Sequence, residues 1–229
     1  MGKQEPSWAE RAEDLYQRRT FRSAALAFRV SLLQAPSSSK LMTMFARALE
    51  KVNPRSPFRH YARKATMLAP GEADTWYVFS QGALIQREFA RATSAARRHH
   101  VLEPAGVEGI LMLSRARFQR GEFEQCAHGL KRAATLAPDD KYVRIAQARC
   151  LFRQGRHGEA LEASSQALER GADLVEFGFD HCRIAYAAGK RDMVAPLLDR
   201  LEKIDGAYTR KRQVLNLTVS ANDLRAATK

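Results

Sequence analysis

The chain has 229 residues, 45% of them hydrophobic, and its 38 lysines and arginines against 25 acidic residues give a net charge of +13. Its apolar runs are far shorter than the roughly 18 residues of a membrane-spanning helix, and its first residues lack the apolar core of a signal peptide. Three cysteines do not indicate a disulfide framework. Composition thus argues against a membrane-spanning protein, and the basic excess favours an acidic partner: nucleic acid, an acidic protein segment or an anionic membrane surface.

A period of 34 residues runs along the chain in order. It is marked by four prolines, each 34 residues after the last: Pro36, Pro70, Pro104 and Pro138. Between them, most clearly over residues 107–138, the sequence predicts two amphipathic helices joined by a tight turn. Proline lacks an amide hydrogen and disfavours helix in the residue before it, so each proline is expected to end a second helix. One pair cannot bury both apolar stripes alone, and consecutive pairs must therefore stack.

If each proline is position 32 of a unit, six units begin at Glu5, Ser39, Ala73, Val107, Lys141 and Val175. Position 4 holds Trp8 and Trp76, position 7 holds Phe45, Phe79 and Leu113, and the small position 8 holds Ala12, Ala46, Ser80, Ser114, Ala148 and Cys182. The turn at position 15 holds Gly121, Gly155 and Gly189. Ala24, Ala92 and Ala160 stand at position 20, Phe28 at position 24, and Ala65, Ala133 and Ala167 at position 27.

This pattern resembles the tetratricopeptide repeat (TPR), a 34-residue helix–turn–helix unit with the signature W-x2-L-G-x2-Y, A-x3-F and P. The resemblance covers roughly residues 5–206 without gaps. It implies an all-α fold, a right-handed α-solenoid of antiparallel helix pairs (a TPR superhelix). We assign residues 5–206 to the solenoid and 207–229 to a C-terminal capping helix and tail, with the helix over roughly 207–218.

Several units depart from the pattern. The second has Asn53 in place of the turn glycine, and there we predict that Ser56 caps a helix starting at Pro57. Normally apolar positions hold Arg117, Arg144 and Gln147, Ala172 replaces the fifth proline, and the sixth unit has Gly178 at position 4 and Pro196 in the first turn of its second helix. We expect the middle of the array to follow the pattern more closely than its ends.

The resemblance also implies a binding surface, because in this family the first helices line a concave groove whose positions 2, 5, 9, 12 and 13 commonly contact ligand. Positions 5, 9 and 12 share one helix face. The predicted peptide-binding residues are Arg47, Tyr77, Gln81, Leu111, Arg115, Phe118, Tyr142, Ile145, Arg149, Phe152, Phe179, Arg183 and Tyr186. Position 9 is more often asparagine in the family, so the three consecutive arginines at 115, 149 and 183 are distinctive. Lysines and asparagines of the chaperone clamp, which hold a terminal carboxylate, are absent from the groove positions.

Spacing suggests what the arginines would meet. Neighbouring helices pack about 8–10 Å apart, and an extended peptide rises about 3.3 Å per residue, so each arginine would face every third ligand residue. We predict an extended ligand with acidic groups at that interval and apolar side chains between them, held by the arginine forks and by cation–π contacts with the rings. Two alternatives stay open: the rings pack in the core, and the arginines pair with acids on adjacent helices.

The sequence favours a non-catalytic adaptor, scaffold or chaperone that binds an acidic or amphipathic protein segment. Single-stranded RNA binding in the same basic groove is the alternative, and a targeting subunit of a larger enzyme assembly is a third interpretation. Asp180, His181 and Cys182 are consecutive on a helix and point in different directions, so they do not indicate a catalytic site. We predict no cofactor, no metal site and no membrane insertion, with buried free cysteines in a reducing, cytoplasmic location.

Overall fold

The computed structural model describes residues 6–204, and within that range it contains α-helices, one short 3₁₀ helix and no strand. The helices are α1 (Trp8–Gln17), α2 (Phe21–Gln34), α3 (Ser39–Val52), α4 (Phe58–Leu68), α5 (Ala73–Ile85), α6 (Phe89–Leu102), α7 (Val107–Gln119), α8 (Phe123–Leu136), α9 (Lys141–Arg153), α10 (His157–Glu169), α11 (Leu174–Ala187) and α12 (Val194–Ile204). The 3₁₀ helix, Arg191–Met193, precedes α12. The all-α prediction is confirmed, whereas the predicted capping helix lies outside the described residues.

The helices form two compact units that divide between Glu122 and Phe123. In the first unit, α1 packs on α2, α3 on α4 and α5 on α6, and each second helix also packs on the next first helix. First helices contact one another as well, α3 with α5 and α5 with α7. The second unit repeats this arrangement in α9 with α10, α11 with α12, and α9 with α11. In each unit, therefore, the first helices form one side and the second helices the other.

The second helices end where the period predicts. Helices α2, α4, α6 and α8 each stop two residues before their proline. The residue between leaves the helical region, with φ, ψ of −134°, 70° at Ala35, −136°, 71° at Ala69 and −135°, 68° at Glu103. The proline ring clashes with a helical conformation in the residue before it, which explains the common end point.

The turn inside each pair needs a residue at positive φ. Gly121, Gly155 and Gly189 adopt φ of +80°, +76° and +78°, and the amide of the following residue bonds back into the helix, as in Glu122 to the carbonyl of Arg117 at 3.0 Å. This is the pattern of a glycine-terminated helix. Non-glycine residues fill the same position in the first and third repeats, where Arg19 and Arg87 adopt φ of 60° and 61°.

The turn of the second repeat differs from our prediction. Helix α4 begins at Phe58, one residue later than expected, and the side chain of its N-cap residue Pro57 accepts no hydrogen bond from the helix amides. The Ser56 hydroxyl instead donates to the carbonyl of Leu49, 3.2 Å away at the end of α3. The predicted Ser56 cap is therefore wrong, because the hydroxyl donates to the Leu49 carbonyl, which also accepts from the Asn53 amide, and does not accept from an amide of α4.

Small residues stand where helices approach each other. Those at positions 8 and 20 are buried: Ala12, Ala46, Ser80, Ser114, Ala148, Cys182, Ala24, Ala92 and Ala160. The Ser80 hydroxyl donates to the Ala92 carbonyl at 3.0 Å, so even a polar member is satisfied across the pair. Arg144 and Gln147, at normally apolar positions, also find partners, and Gln147 donates to the carbonyl of Leu130 at 3.2 Å.

Gly178 explains how the last pair packs so closely. A Cβ at this residue would lie 2.9 Å from the Leu201 side chain, so α11 and α12 contact each other across a residue without a side chain. Pro196 is the third residue of α12, in its first turn as predicted. In the described part of the chain, no helix is both long and apolar enough to cross a bilayer.

Candidate peptide-binding face

The predicted site residues all lie on first helices. Those of the first unit are Arg47 on α3, Tyr77 and Gln81 on α5, and Leu111, Arg115 and Phe118 on α7. Those of the second unit are Tyr142, Ile145, Arg149 and Phe152 on α9, and Phe179, Arg183 and Tyr186 on α11. We refer to these two sets as the first-helix face of each unit. The ligand spacing predicted across Arg115, Arg149 and Arg183 spans both units and stays a prediction.

In the first unit, Arg47 is held by a neighbouring helix. Its Nη2 donates to Oδ1 of Asp74 on α5 at 2.8 Å, and its guanidinium lies 5.7 Å from the centre of the Tyr77 ring. The Tyr77 hydroxyl accepts from Nε2 of Gln81 at 3.3 Å. The structure thus brings Arg47, Tyr77 and Gln81 together, but it gives the arginine an acid from its own chain.

The Tyr77 ring is half-buried and packs beside the cluster around Ala83, Leu84 and Ala96. Its centre lies 5.5 Å from that of His99, a buried histidine whose Nδ1 is 2.9 Å from the carbonyl of Ala73. Burial raises the pKa of the Tyr77 phenol, an effect that the nearby charges of Arg47 and Arg115 partly oppose. The phenol therefore stays protonated at neutral pH and acts as a neutral polar group.

Arg115 is exposed, between half-buried Leu111 and Phe118 on the same helix. Arg47 pairs with the residue at position 2 of the following 34-residue repeat, Asp74. Arg149 pairs with the residue at position 6 of the repeat after its own, Asp180. The corresponding residues for Arg115 are Tyr142 and Ala146, which bear no charge. In the sequence, therefore, the positions that hold the acids paired with Arg47 and Arg149 hold no acid in the repeat that follows Arg115.

In the second unit, Arg149 is paired with Asp180. Its Nε and Nη2 both lie 2.7 Å from Oδ2 of Asp180 on α11. The same guanidinium lies 5.7 Å from the centre of the Phe177 ring. For Arg47 and Arg149, therefore, the structure shows the alternative that the sequence left open: the arginine pairs with an acid on an adjacent first helix.

Arg183 on α11 makes a longer contact with the same aspartate. Its Nη1 is 4.0 Å from Oδ1 of Asp180, at the limit of an ion pair, and its side chain is 50% exposed. The guanidinium lies 5.4 Å from the centre of the Phe152 ring. One carboxylate therefore serves two guanidinium groups, which leaves the group with a positive charge beside an aromatic surface.

The other rings of the second unit contribute mainly to packing. Ile145 and Phe152 pack against the cluster around Ala148 and Ala160. Phe179 and Tyr186 pack against the cluster that contains Cys182 and Leu198. Tyr142 differs, since it is 60% exposed, and the Nζ of Lys141 lies 5.5 Å from its ring centre. The alternative that aromatic residues pack in the core thus holds for Phe152, Phe179 and Tyr186, whereas Tyr142 stays exposed.

Sequence reasoning missed the residues that complete these groups. Asp74 and Asp180 form ion pairs with Arg47 and Arg149. Phe177 lies beside the guanidinium of Arg149, and the guanidinium of Arg191 is 5.1 Å from the Tyr186 ring centre. The acids stand 27 and 31 residues after their arginines. A search for acids at positions 2 and 6 of the following unit would have found both.

The residues that resembled a catalytic site do not form one. The imidazole Nδ1 of buried His181 lies 2.7 Å from the Ser164 hydroxyl, and burial lowers the pKa of this histidine. Burial also raises the pKa of the Cys182 thiol to about 11, so the thiol is protonated and a poor nucleophile. Cys126, Cys150 and Cys182 are all free and buried, as predicted.

Comparisons with known proteins support the fold. No family profile and no curated protein matches the sequence. Among solved structures, pilF of Pseudomonas aeruginosa matches with a TM-score of 0.73 and 16% identity, over 90% of this chain and 95% of that one. TTC0263, a TPR protein of Thermus thermophilus, matches with a TM-score of 0.66 and 20% identity, over 79% of this chain and 97% of its own.

A third match is YrrB, described as a TPR protein with an unusual peptide-binding site. Its TM-score is 0.56 at 17% identity, over 82% of this chain and 99% of that one. At these identities the likeness concerns the fold, and it agrees with the repeat register read from the prolines. The chain therefore has the tetratricopeptide-repeat fold.

Proposed function

We propose that this protein is a non-catalytic interaction scaffold, an adaptor or chaperone, whose first-helix faces bind an extended segment of another protein with acidic and apolar side chains. The observation that carries the proposal is the position of Arg183, half-exposed and seated over the Phe152 ring. Its side chain is half-exposed and reaches an acid of its own chain only at 4.0 Å, so its N–H groups can bind a ligand carboxylate through two bonds.

Charge at the second unit's face supports an acidic ligand. Arg149 uses the near oxygen of Asp180, and Arg183 reaches the other oxygen only at 4.0 Å. A carboxylate from a ligand would therefore find a guanidinium whose bonding capacity is mostly unused. The half-buried rings of Phe179 and Tyr186 offer adjacent apolar surface for a neighbouring ligand side chain.

The first unit offers a similar combination. Arg115 is exposed beside the half-buried side chains of Leu111 and Phe118. We propose that Arg115 is the principal anchor for a ligand acid on the face of the first unit, and that Arg183 is the principal anchor and Arg149 a secondary one on the face of the second unit. The peptide-binding site attributed to YrrB is a property of that protein, and it makes a peptide ligand a reasonable first test here.

The proposal is non-catalytic because the reactive groups are tied to packing. Ser164 and His181 bond to each other in the interior, and the Cys182 thiol has its pKa raised to about 11. Three buried free thiols suit a reducing compartment, and a cytoplasmic location is part of the proposal for that reason.

The test is a fluorescence titration of the full chain with extended peptides that have an acid at every third residue and apolar residues between. Scrambled peptides of the same composition are the comparison. Changing either Arg115 or Arg183 to alanine should weaken binding about 10- to 100-fold, the range for losing a charge-assisted bond. Arg200→Ala, an exposed arginine on α12, is the matched control and should leave the affinity unchanged.

Two results would contradict the proposal. Equal affinity for ordered and scrambled peptides would remove the register of acids, and equal affinity of Arg183→Ala and Arg200→Ala would remove the site. Capture from native lysate, with and without nuclease, separates the ligand classes: a discrete protein retained after nuclease supports the scaffold, whereas loss with nuclease moves the face to single-stranded RNA.

A further inference from the structure

The second helices of the first unit share an exposed face that the peptide-binding proposal does not use. It is formed by positions 22, 25 and 29 of the first three repeats. These positions are three and four residues apart, so they lie on one side of a helix. We call it the outer face, and it consists of Leu26, Arg29 and Leu33 on α2, His60, Arg63 and Met67 on α4, and Ser94, Arg97 and Val101 on α6. All nine residues are exposed.

A row of apolar side chains runs along this face at position 29. Leu33, Met67 and Val101 are 79%, 72% and 68% exposed, and each is in the last turn of its helix. Leu26 adds a fourth exposed apolar side chain on α2. Single exposed apolar residues are ordinary, but a repeated row on consecutive elements indicates an interaction surface.

Basic residues run beside the apolar row. Position 25 is an arginine in each of the first three repeats, one helical turn before the apolar residue at position 29. Helices α2, α4 and α6 contain two, three and three lysines or arginines, and none contains an aspartate or glutamate. Among the described residues, no salt bridge involves Arg29, Arg63, Lys64, Arg97 or Arg98. These charges therefore remain available to an outside partner.

The second unit provides an internal contrast. The same positions hold His128, Lys131 and Thr135 on α8, and Glu162, Ser165 and Glu169 on α10. Helix α10 contains three glutamates and no lysine or arginine. The combination of apolar and basic rows is thus a property of α2, α4 and α6 rather than of the repeat itself.

We propose that the outer face docks on an anionic membrane surface, with the arginines on lipid headgroups and Leu33, Met67 and Val101 inserted between them. Charge complementarity supports this occupant, because a row of basic residues without acids is attracted to anionic lipid headgroups. Apolar side chains beside a basic row add the second attraction that interfacial binding requires.

The shape and chemistry of the apolar row distinguish a bilayer from the other acidic partners. Aliphatic side chains do not stack on bases, and, apart from His60, the outer face has no ring to do so, which argues against single-stranded nucleic acid. Side chains that stand 68% to 79% clear of their own protein would need matching pockets in a protein partner. A fluid bilayer accommodates them without preformed pockets.

The two proposed sites are independent. The first-helix face and the outer face lie on opposite sides of the first unit, since α4 and α6 pack behind the first helices that contact each other. Variants of the outer face should therefore leave peptide titrations unchanged. Failure of one proposal does not imply failure of the other.

The test is co-sedimentation of the full chain with vesicles of phosphatidylcholine alone or mixed with phosphatidylglycerol. We expect binding to the mixed vesicles only, with release by salt. Joint replacement Arg29→Ser, Arg63→Ser and Arg97→Ser should weaken binding on the order of 100-fold. Joint replacement Leu33→Thr, Met67→Thr and Val101→Thr keeps the charge and should weaken binding by about tenfold or more.

The control variant removes the same charge from exposed positions of the second unit, by Lys131→Ser, Arg132→Ser and Arg200→Ser together. It should bind nearly as well as the wild type, and melting curves confirm that all variants fold. The proposal is overturned if the chain ignores phosphatidylglycerol or if the control loses as much as the arginine variant. It is also overturned if the arginine variant loses single-stranded RNA binding while vesicles never bind, which would assign the face to nucleic acid.

Discussion

Arg149 and Asp180 join the first helices of consecutive repeats, with Nε and Nη2 of the arginine both 2.7 Å from Oδ2 of the aspartate. Arg47 and Asp74 make the corresponding contact in the first unit at 2.8 Å. In each case an arginine at a predicted ligand position already holds a carboxylate from its own chain. The intramolecular acid therefore competes with any acidic ligand for the same guanidinium.

Removing this competitor should strengthen the binding of an acidic peptide. In Asp180→Asn, Arg149 and Arg183 lose their shared carboxylate, and we expect about tenfold higher affinity for acidic peptides in the titration described above. The partly exposed ion pair contributes little to folding, so stability should fall by about 1 kcal/mol or less.

Asp192→Asn is the matched control, since it removes one negative charge from an exposed residue of the 3₁₀ helix. It should change peptide affinity only slightly. If Asp180→Asn binds acidic peptides no better than Asp192→Asn, the arginines of the second unit serve the packing of α9 against α11 rather than a ligand.

Much of the fold was predictable because its determinants are local. Pro36, Pro70 and Pro104 end helices through a clash with the preceding residue, and glycines such as Gly155 mark turns that require positive φ. Both effects act within a few residues, so they can be read from sequence spacing. Ala92 and similar small residues at close helix contacts follow from the same register.

The site was less predictable because long side chains select partners that are distant in sequence. Arg149 could have faced solvent or an acid, and only the packing of α9 on α11 brings Asp180 within reach. Ser56 likewise had two acceptable roles, and the nearby Leu49 carbonyl decided between them. The outer face was not predicted, because the exposure of Leu33 and Met67 was known only from the structure.

Exchanging residues at the turn position should change stability in opposite directions. Arg87 adopts φ of 61°, which costs a side-chain-bearing residue about 1–2 kcal/mol, whereas Gly155 adopts φ of 76° at little cost. We expect Arg87→Gly to raise the free energy of unfolding by up to about 1 kcal/mol and Gly155→Arg to lower it by about 1–2 kcal/mol. Urea denaturation measures both.

Ala188→Gly provides the control for this pair. Ala188 follows α11 with an ordinary φ of −79°, so glycine there should cost about 0.5–1 kcal/mol through unfolded-state entropy alone. A loss of stability in Arg87→Gly equal to that in Ala188→Gly would show that positive φ at Arg87 imposes no strain.

Gly109 is required by the close approach of α7 to α6. A Cβ at this position would lie 2.9 Å from Cδ2 of His99 and 3.1 Å from the backbone Cα of His100. The His99 ring is fixed by its contact with the Ala73 carbonyl and has little room to move. We expect Gly109→Ala to lower the free energy of unfolding by about 1–3 kcal/mol, as overpacking does.

The comparison for Gly109→Ala is Gly158→Ala, the same change near the start of α10. A Cβ at Gly158 would meet no atom within 4 Å, so helix propensity should make this variant neutral or more stable by up to about 1 kcal/mol. Urea denaturation of both variants measures the contrast. If the two behave alike, the α6–α7 contact is more adaptable than the distances indicate.

The contact between Ser164 and His181 should make stability depend on pH. The two side chains are buried, 2.7 Å apart, and burial lowers the pKa of His181 from its ordinary value of 6.5. As the pH falls below 6.5, the unfolded chain takes up a proton at this histidine, whereas the folded chain does not until the lower pKa is reached. Protonation therefore favours unfolding, and the stability present above pH 6.5 is progressively lost as the pH falls.

His181→Gln should remove this part of the pH profile. The wild type loses about 1.4 kcal/mol for every unit by which the pKa of His181 is lowered, and the variant should lose correspondingly less between about pH 7 and pH 5. Urea denaturation at several pH values gives the difference between the two proteins, in which the titration of other groups cancels. His128→Gln, at an exposed histidine, should retain the wild-type slope. If His128→Gln flattens the profile as much as His181→Gln does, the buried contact is not the origin of the pH dependence.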